Sequence, residues 1–243
     1  MRDEEPIAAH LPLRAGGAFE RWVVVDDEDA LVAAVRAARA EKLSVRPIPP
    51  FHDALPPEGG LTGVGLRLGA GFEGIAGEPD GLRVGAATPL AIVGMRRGFE
   101  ALRRAPGTLV DALDDGWITP MVARLRWFKG RGFAEGVERE PNAVVVAAWL
   151  SPGVKVTAPR AGEWVKPLKK RDVRELLRAQ GLAGLRLGGA QLADDDPAVL
   201  VNRGEATAKQ LRLLLQAARE RVQTATGIQL EERLTLPGRG ARI

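Results

Sequence analysis

Apolar residues recur at helical spacing in two clear stretches of this chain. Leu31, Ala34, Val35 and Ala38 follow Asp27 and an acidic first turn, so residues 28–39 read as a helix capped by Asp27. β-Rich apolar runs at 21–25 and 43–48 flank it and read as strands, giving a strand-helix-strand unit. Towards the other end, Leu211, Leu214, Leu215, Ala218 and Val222 share one face. Thr207 and Gln210 have the spacing of a capping box, and Gly227 closes the pattern, so a helix is predicted over 208–226. A shorter helix is expected over 173–179, ended by Gly181. Short strands are expected at 63–68, 82–86 and 143–149. Thr88 and Pro89 are expected to cap and open a further helix, since proline lacks only an N–H that the first turn leaves unpaired. The proline-rich stretch 47–60 must be a loop.

This order of elements argues for mixed α/β (α+β) packing. The turn cluster Ser151-Pro152-Gly153 marks the main boundary, dividing residues 1–150 (two lobes, about 1–70 and 71–150) from a C-terminal domain at 151–243. A length of 243 residues, 45% hydrophobic and 27% charged, supports a real core. No run approaches the roughly 18 apolar residues of a membrane span, and no apolar signal core follows the charged start, so a soluble, cytoplasmic protein without a membrane partner is expected. With no cysteine and only His10 and His52, a metal site is not expected. The net charge of +4 is spread along the chain and hints only weakly at a polyanion, so nucleic acid is not the expected partner. The sharpest basic excess is Lys166, Lys169, Lys170 and Arg171 with Arg174 and Arg178. It reads as a solvated helix face, with a phosphate grip as the alternative.

Four phrases say more. Arg14-Ala15-Gly16-Gly17 leads into the first apolar run. Gly85-Ala86-Ala87-Thr88-Pro89-Leu90 forms a strand-to-helix turn. Gly181-Leu182-Ala183-Gly184-Leu185-Arg186-Leu187-Gly188-Gly189-Ala190-Gln191 and Val201-Asn202-Arg203-Gly204-Glu205-Ala206-Thr207 follow in the C-terminal part. In this order they resemble the MurB family of UDP-N-acetylenolpyruvoylglucosamine reductases, in its compact subtype. The resemblance implies a flavin-binding-type N-terminal domain of two α+β lobes and a C-terminal α+β substrate-type domain. It also implies FAD- and NADPH-dependent reduction of an enolpyruvyl UDP-sugar in peptidoglycan precursor synthesis, with a serine as proton donor and a glutamate and an arginine as stabilisers.

The chain departs from that pattern where the chemistry would lie. Pro49, Pro50, Phe51, His52 and Asp53 stand on the family's glycine-rich flavin loop, and prolines cannot donate N–H groups to a diphosphate. Of the second flavin phrase Pro106, Gly107 and Thr108 survive, but Val110 and Asp111 replace paired glycines. Arg14, Gly16, Gly17, Gly59 and Gly60 are the other flavin-site remnants. Glu163 takes the serine position and Arg233 the glutamate position, unless a slip of one residue restores Glu232. The Tyr-Arg-x-Ser phrase has no counterpart near 133–139, and the chain has no tyrosine. Asp194, Asp195 and Asp196 replace a Lys-His-containing segment, which makes UDP-sugar binding doubtful.

These changes imply that FAD binding is lost and that the chain is a non-catalytic binding or scaffold protein, with a protein partner or self-association through the C-terminal domain. The alternatives are an active FAD/NADPH reductase with a rebuilt site and a basic nucleic-acid-binding protein.

Overall fold

Asp27 caps the first helix, its Oδ1 accepting from Ala30 N at 2.7 Å. In the computed structural model, which describes residues 1–48, 54–138, 140 and 143–234, that helix, α1 (Glu28–Ala40), lies behind a four-stranded sheet. The strands are β1 (Arg2–Pro6), β2 (Ala18–Val25), β3 (Val45–Pro47) and β4 (Leu61–Leu68). Their order is β1-β2-β4-β3, with β4 parallel to both β2 and β3. The expected strand-helix-strand unit is therefore real, but β4 inserts between its two strands. Leu31, Val35 and Ala38 of α1 pack on Val25, Val45, Val64 and Leu66.

The second lobe is an antiparallel sheet, β5-β6-β9-β7-β8. It is formed by β5 (Ile75–Glu78), β6 (Gly81–Gly85), β7 (Val122–Phe128), β8 (Phe133–Gly136) and β9 (Val144–Leu150), with the short helices α2 (Leu90–Val93) and α3 (Leu109–Asp115) between β6 and β7. β9 is central and buried along nearly its whole length, which explains its unbroken apolar sequence. Its side chains divide between two cores: Val144 and Val146 join the α1 cluster, whereas Val145 and Ala148 join Leu90, Leu102, Leu109 and Met121.

Thr88 departs from its expected role. Its hydroxyl accepts from Gly74 N (2.9 Å) and donates to Gly74 O (3.2 Å), tying the start of β5 to α2, and Pro89 becomes the flanking residue before a helix of only four residues. A helix this short needs less of a cap than its neighbouring loop needs a bond.

The C-terminal part contains α4 (Val173–Ala179), the small sheet β10 (Arg186–Leu187), β11 (Ala190–Leu192) and β12 (Leu200–Asn202), and α5 (Ala208–Thr226). Thr207 Oγ1 accepts from Gln210 N, the Gln210 side chain returns to Thr207 N, and Gly227 closes the helix with φ 71°. The core beneath α5 also takes Leu13, Ala15 and Leu55 from the N-terminal region. Asn202 fastens that seam. Its Nδ2 donates to Leu13 O (2.8 Å), and its Oδ1 accepts from Gly204 N and Ala206 N. Glu58 Oε1 accepts from Lys209 N in the first turn of α5 (3.0 Å), placing negative charge at the positive end of the helix. Arg212 also donates to the Leu55 carbonyl.

Thr207→Ala is expected to lower the unfolding free energy by about 1 kcal/mol, the usual worth of a helix cap. Leu215→Ala, at a buried position, is expected to cost more, about 2–5 kcal/mol. Urea denaturation should rank the two midpoints in that order.

Candidate functional site

The positions that the family resemblance assigns to catalysis lie where residues 160–166 run between two partners. On one side Trp164 N donates to Ala198 O and Leu200 N to Gly162 O. On the other Lys166 N donates to Glu231 O and Arg233 N to Trp164 O. Glu163 bridges Val199, and Val165 bridges Glu232, each in antiparallel sense.

Glu163 is 5% exposed and both carboxylate oxygens are committed. Oε1 accepts from Arg174 Nη2 at 2.8 Å, and Oε2 accepts from Arg160 N at 3.0 Å. Arg174, on α4, also donates from Nε to Asp196 Oδ2 (2.9 Å). Asp196 is 2% exposed and receives Arg160 Nη1 (2.9 Å) on the same oxygen and Ala198 N (3.1 Å) on the other. Arg160 Nη2 reaches Asp195 (3.2 Å), and Arg178 donates to the Asp195 carbonyl. Burial pushes the Asp196 carboxyl upward, but hydrogen bonds from Arg174 and Ala198 and the nearby guanidinium charge outweigh it, holding the group below its ordinary value of 3.8. The serine position is thus part of a closed ion network that also absorbs two residues of the acidic turn.

Arg233 and Glu232 point apart, as alternation along an extended segment requires. Glu232 pairs with Arg219 of α5 at 2.6 Å. Arg233 is largely buried and pairs with Asp115 at the end of α3 (3.5 Å), crossing to the second lobe. A one-residue slip would exchange these two directions. Lys169, Lys170 and Arg171 are exposed, whereas Arg174 is turned onto Glu163 and Asp196, so the basic run is only partly a solvated face.

The flavin-site remnants fall into two groups. In one, Gly17 N and Gly60 N both donate to Pro57 O, and an added Cβ on Gly17 would sit 2.3 Å from Gly60 N. These two glycines permit a backbone crossing that no side chain would allow. Gly16 packs on Pro56, Gly59 faces open space, and Arg14 has φ 45° beside Asn202.

The second group, Pro106, Gly107 and Thr108, opens α3. Asp111 is 8% exposed, and its Oδ2 accepts from Thr108 N (2.7 Å) and Thr108 Oγ1 (2.6 Å). Leu109 N donates to Thr88 O and Val110 N to Ala86 O. The first amides of the helix are therefore engaged within the chain, and a carboxylate closes its end. The sequence reading noted Asp111 as an added acid but missed its capping role, although Thr108 and Asp111 have capping-box spacing. Arg67 on β4 lies in the field of Asp111; burial pulls its guanidinium below its ordinary value and the carboxylate opposes that. Residues 49–53, which stand on the first flavin loop of the resemblance, lie outside the described residues, as do 139, 141, 142 and 235–243. Among the described residues no group of three or more His, Cys, Asp or Glu could hold a metal ion, and no helix is long and apolar enough to cross a membrane.

Two lobes followed by a C-terminal α+β part define a known class. The chain aligns over 96% of its length, and 98% of the other, with the crystal structure of UDP-N-acetylenolpyruvylglucosamine reductase (MurB) from Thermus caldophilus, at a TM-score of 0.75 and 20% identity. This is the MurB fold. Residues 152–236 match the family described as UDP-N-acetylenolpyruvoylglucosamine reductase, C-terminal domain. UDP-N-acetylenolpyruvoylglucosamine reductase of Geobacter metallireducens is 28% identical over 98% of this chain and 94% of its own, and that of Anaeromyxobacter sp. (strain Fw109-5) 27% over 98% and 88%. Over nearly its whole length the chain is similar to the MurB reductases, and its residues 152–236 match that family's C-terminal domain.

Arg174→Ala would strand Glu163 and weaken the hold on Asp196. The expected loss of stability is about 3 kcal/mol, the low end for a broken buried pair, because Arg174 itself is partly exposed. The network also has a pH signature. The native Asp196 binds its proton less tightly than the unfolded chain does, so its contribution is complete above 3.8 and disappears as pH falls below that value towards the lowered native one. Unfolding free energies measured across that acid range should fall less steeply for Asp196→Asn than for the parent.

Proposed function

We propose that this MurB-like protein does not carry out the flavin-dependent reduction for which its relatives are named and acts instead as a binding or scaffold protein. The observation that carries this reading is Asp111. A flavin diphosphate at the start of α3 would meet a buried carboxylate and amides already bonded to Thr88 O and Ala86 O. These residues do not fit a dianion. Pro49 and Pro50 bring no N–H groups to the other flavin phrase. Glu163 supports the same reading, since both of its oxygens are held by Arg174 and Arg160 rather than directed to a substrate. Asp195 and Asp196 stand where the resemblance expects a Lys-His-containing segment and are paired with Arg160 and Arg174, so this turn offers no cation to a UDP-sugar diphosphate. The exposed Lys169, Lys170 and Arg171 offer a charged surface for a protein partner or a second copy.

A second reading, an active reductase with a rebuilt site, is favoured by similarity that spans most of the length of the named enzymes. The two separate cleanly. The purified protein is expected to be colourless, to gain no melting temperature from added FAD, and to oxidise no NADPH when given the enolpyruvyl UDP-sugar. Flavin at a hundred times its dissociation constant would add about 2.7 kcal/mol to a protein that bound it, a shift easily seen by calorimetry. Such a shift, or any substrate-dependent turnover, would establish the reductase reading instead.

A further inference from the structure

Between β6 and α3 the chain makes an excursion over residues 89–104, pinned to the second lobe by buried Leu90, Val93, Phe99 and Leu102. Gly94 lets its two turns touch, since a Cβ there would lie 2.2 Å from Arg103 N. The turn bearing Met95, Arg96 and Arg97 is thereby set against the one bearing Arg103 and Arg104. All four arginines are exposed, and no carboxylate among the described residues forms an ion pair with any of them. Glu100 is the only acidic residue in the excursion. Met95 is 75% exposed and Ile92 47%, large apolar side chains held out in water on the same excursion as the four arginines.

We propose that this knob docks the protein peripherally on an anionic lipid bilayer. Met95 and Ile92 enter the boundary between headgroups and acyl chains, where their apolar surface leaves water. The arginines lie at headgroup level, where an anionic surface attracts them within a Debye length. A nucleic acid would use the arginines but give the two aliphatic side chains nowhere to go, and the aromatic ring of the excursion, Phe99, is buried and offers no stacking platform. Among the described residues no helix is long and apolar enough to cross a membrane, and contact of this kind needs none. The inference does not depend on the state of the reductase site.

The whole protein would be sedimented with vesicles of equal parts phosphatidylglycerol and phosphatidylcholine, and with pure phosphatidylcholine. Binding is expected to the anionic vesicles alone and to weaken as salt rises. Arg96→Glu with Arg97→Glu should lower the partition coefficient by at least about tenfold. Met95→Glu should lower it with every arginine in place. Because the chain has no cysteine, Met95→Cys carrying a polarity-sensitive fluorophore reports insertion at one point, and Leu213→Cys on α5 is the control that should not respond. A blue shift at position 95 alone would support docking. The proposal is overturned if anionic vesicles are not bound at low salt, if neutral vesicles bind equally well, if the Met95 label stays in water, or if duplex or single-stranded DNA competes while that label does not move.

Discussion

Two buried carboxylates, Glu163 and Asp196, share one guanidinium, and much of the C-terminal architecture follows from keeping them together. Neither could be buried alone, because an unpaired charge in a low-dielectric interior costs several kcal/mol. Arg174 must reach both, and this sets how α4 sits against the turn at 195–199. Arg160 closes the ring from the other side. With that turn fixed, Trp164 is held by a bond from its Nε1 to Pro197 O, and the extended segment at 230–234 has an edge to pair with. Arg233 is then placed to cross to Asp115. In this chain the position that the resemblance gives to proton transfer serves as a structural joint.

The N-terminal region and the C-terminal domain share this kind of interdependence. Leu13, Ala15 and Leu55 complete the core under α5, Asn202 binds the carbonyl of Leu13, and Glu58 meets the start of α5. These contacts give a physical account of the retained Val201-Asn202 phrase. Asn202 uses its donor across the seam and its acceptor within its own turn, so it needs no ligand to explain its presence. Gly17 and Gly60 have a comparable explanation in their close backbone crossing.

Elements with strong local signals were legible in the sequence. α5 has a capping box, a single apolar face and a terminal glycine, and its ends fall where those signals put them; α1 and α4 are marked almost as well. What sequence reading missed depends on distant partners. β1 pairs with β2 through residues as polar as Arg2, Asp3 and Glu5, so no apolar alternation announces it. β7 does alternate, with Arg124 and Arg126 against Leu125 and Trp127, but its short turn to β8 runs through Lys129 and Arg131, which carry no strand signal. At the site, the replacements at 163 and 233 could be read from aligned phrases. The ion network could not, because Glu163, Arg174 and Asp196 lie far apart in sequence and only the fold makes them neighbours. Thr88 shows the converse: its local signal for a helix cap was clear, and a bond to Gly74 overrode it.

The Asp111 cap bears on how the protein behaves in a living cell. A domain whose helix end is completed by a bound nucleotide draws part of its stability from that ligand, so its folded fraction, and with it its exposure to proteases, rises and falls with nutrient supply. Here the closure is covalently part of the chain. On the proposed reading this helix end of the second lobe needs no ligand to complete it, and its folded fraction does not follow the supply of flavin.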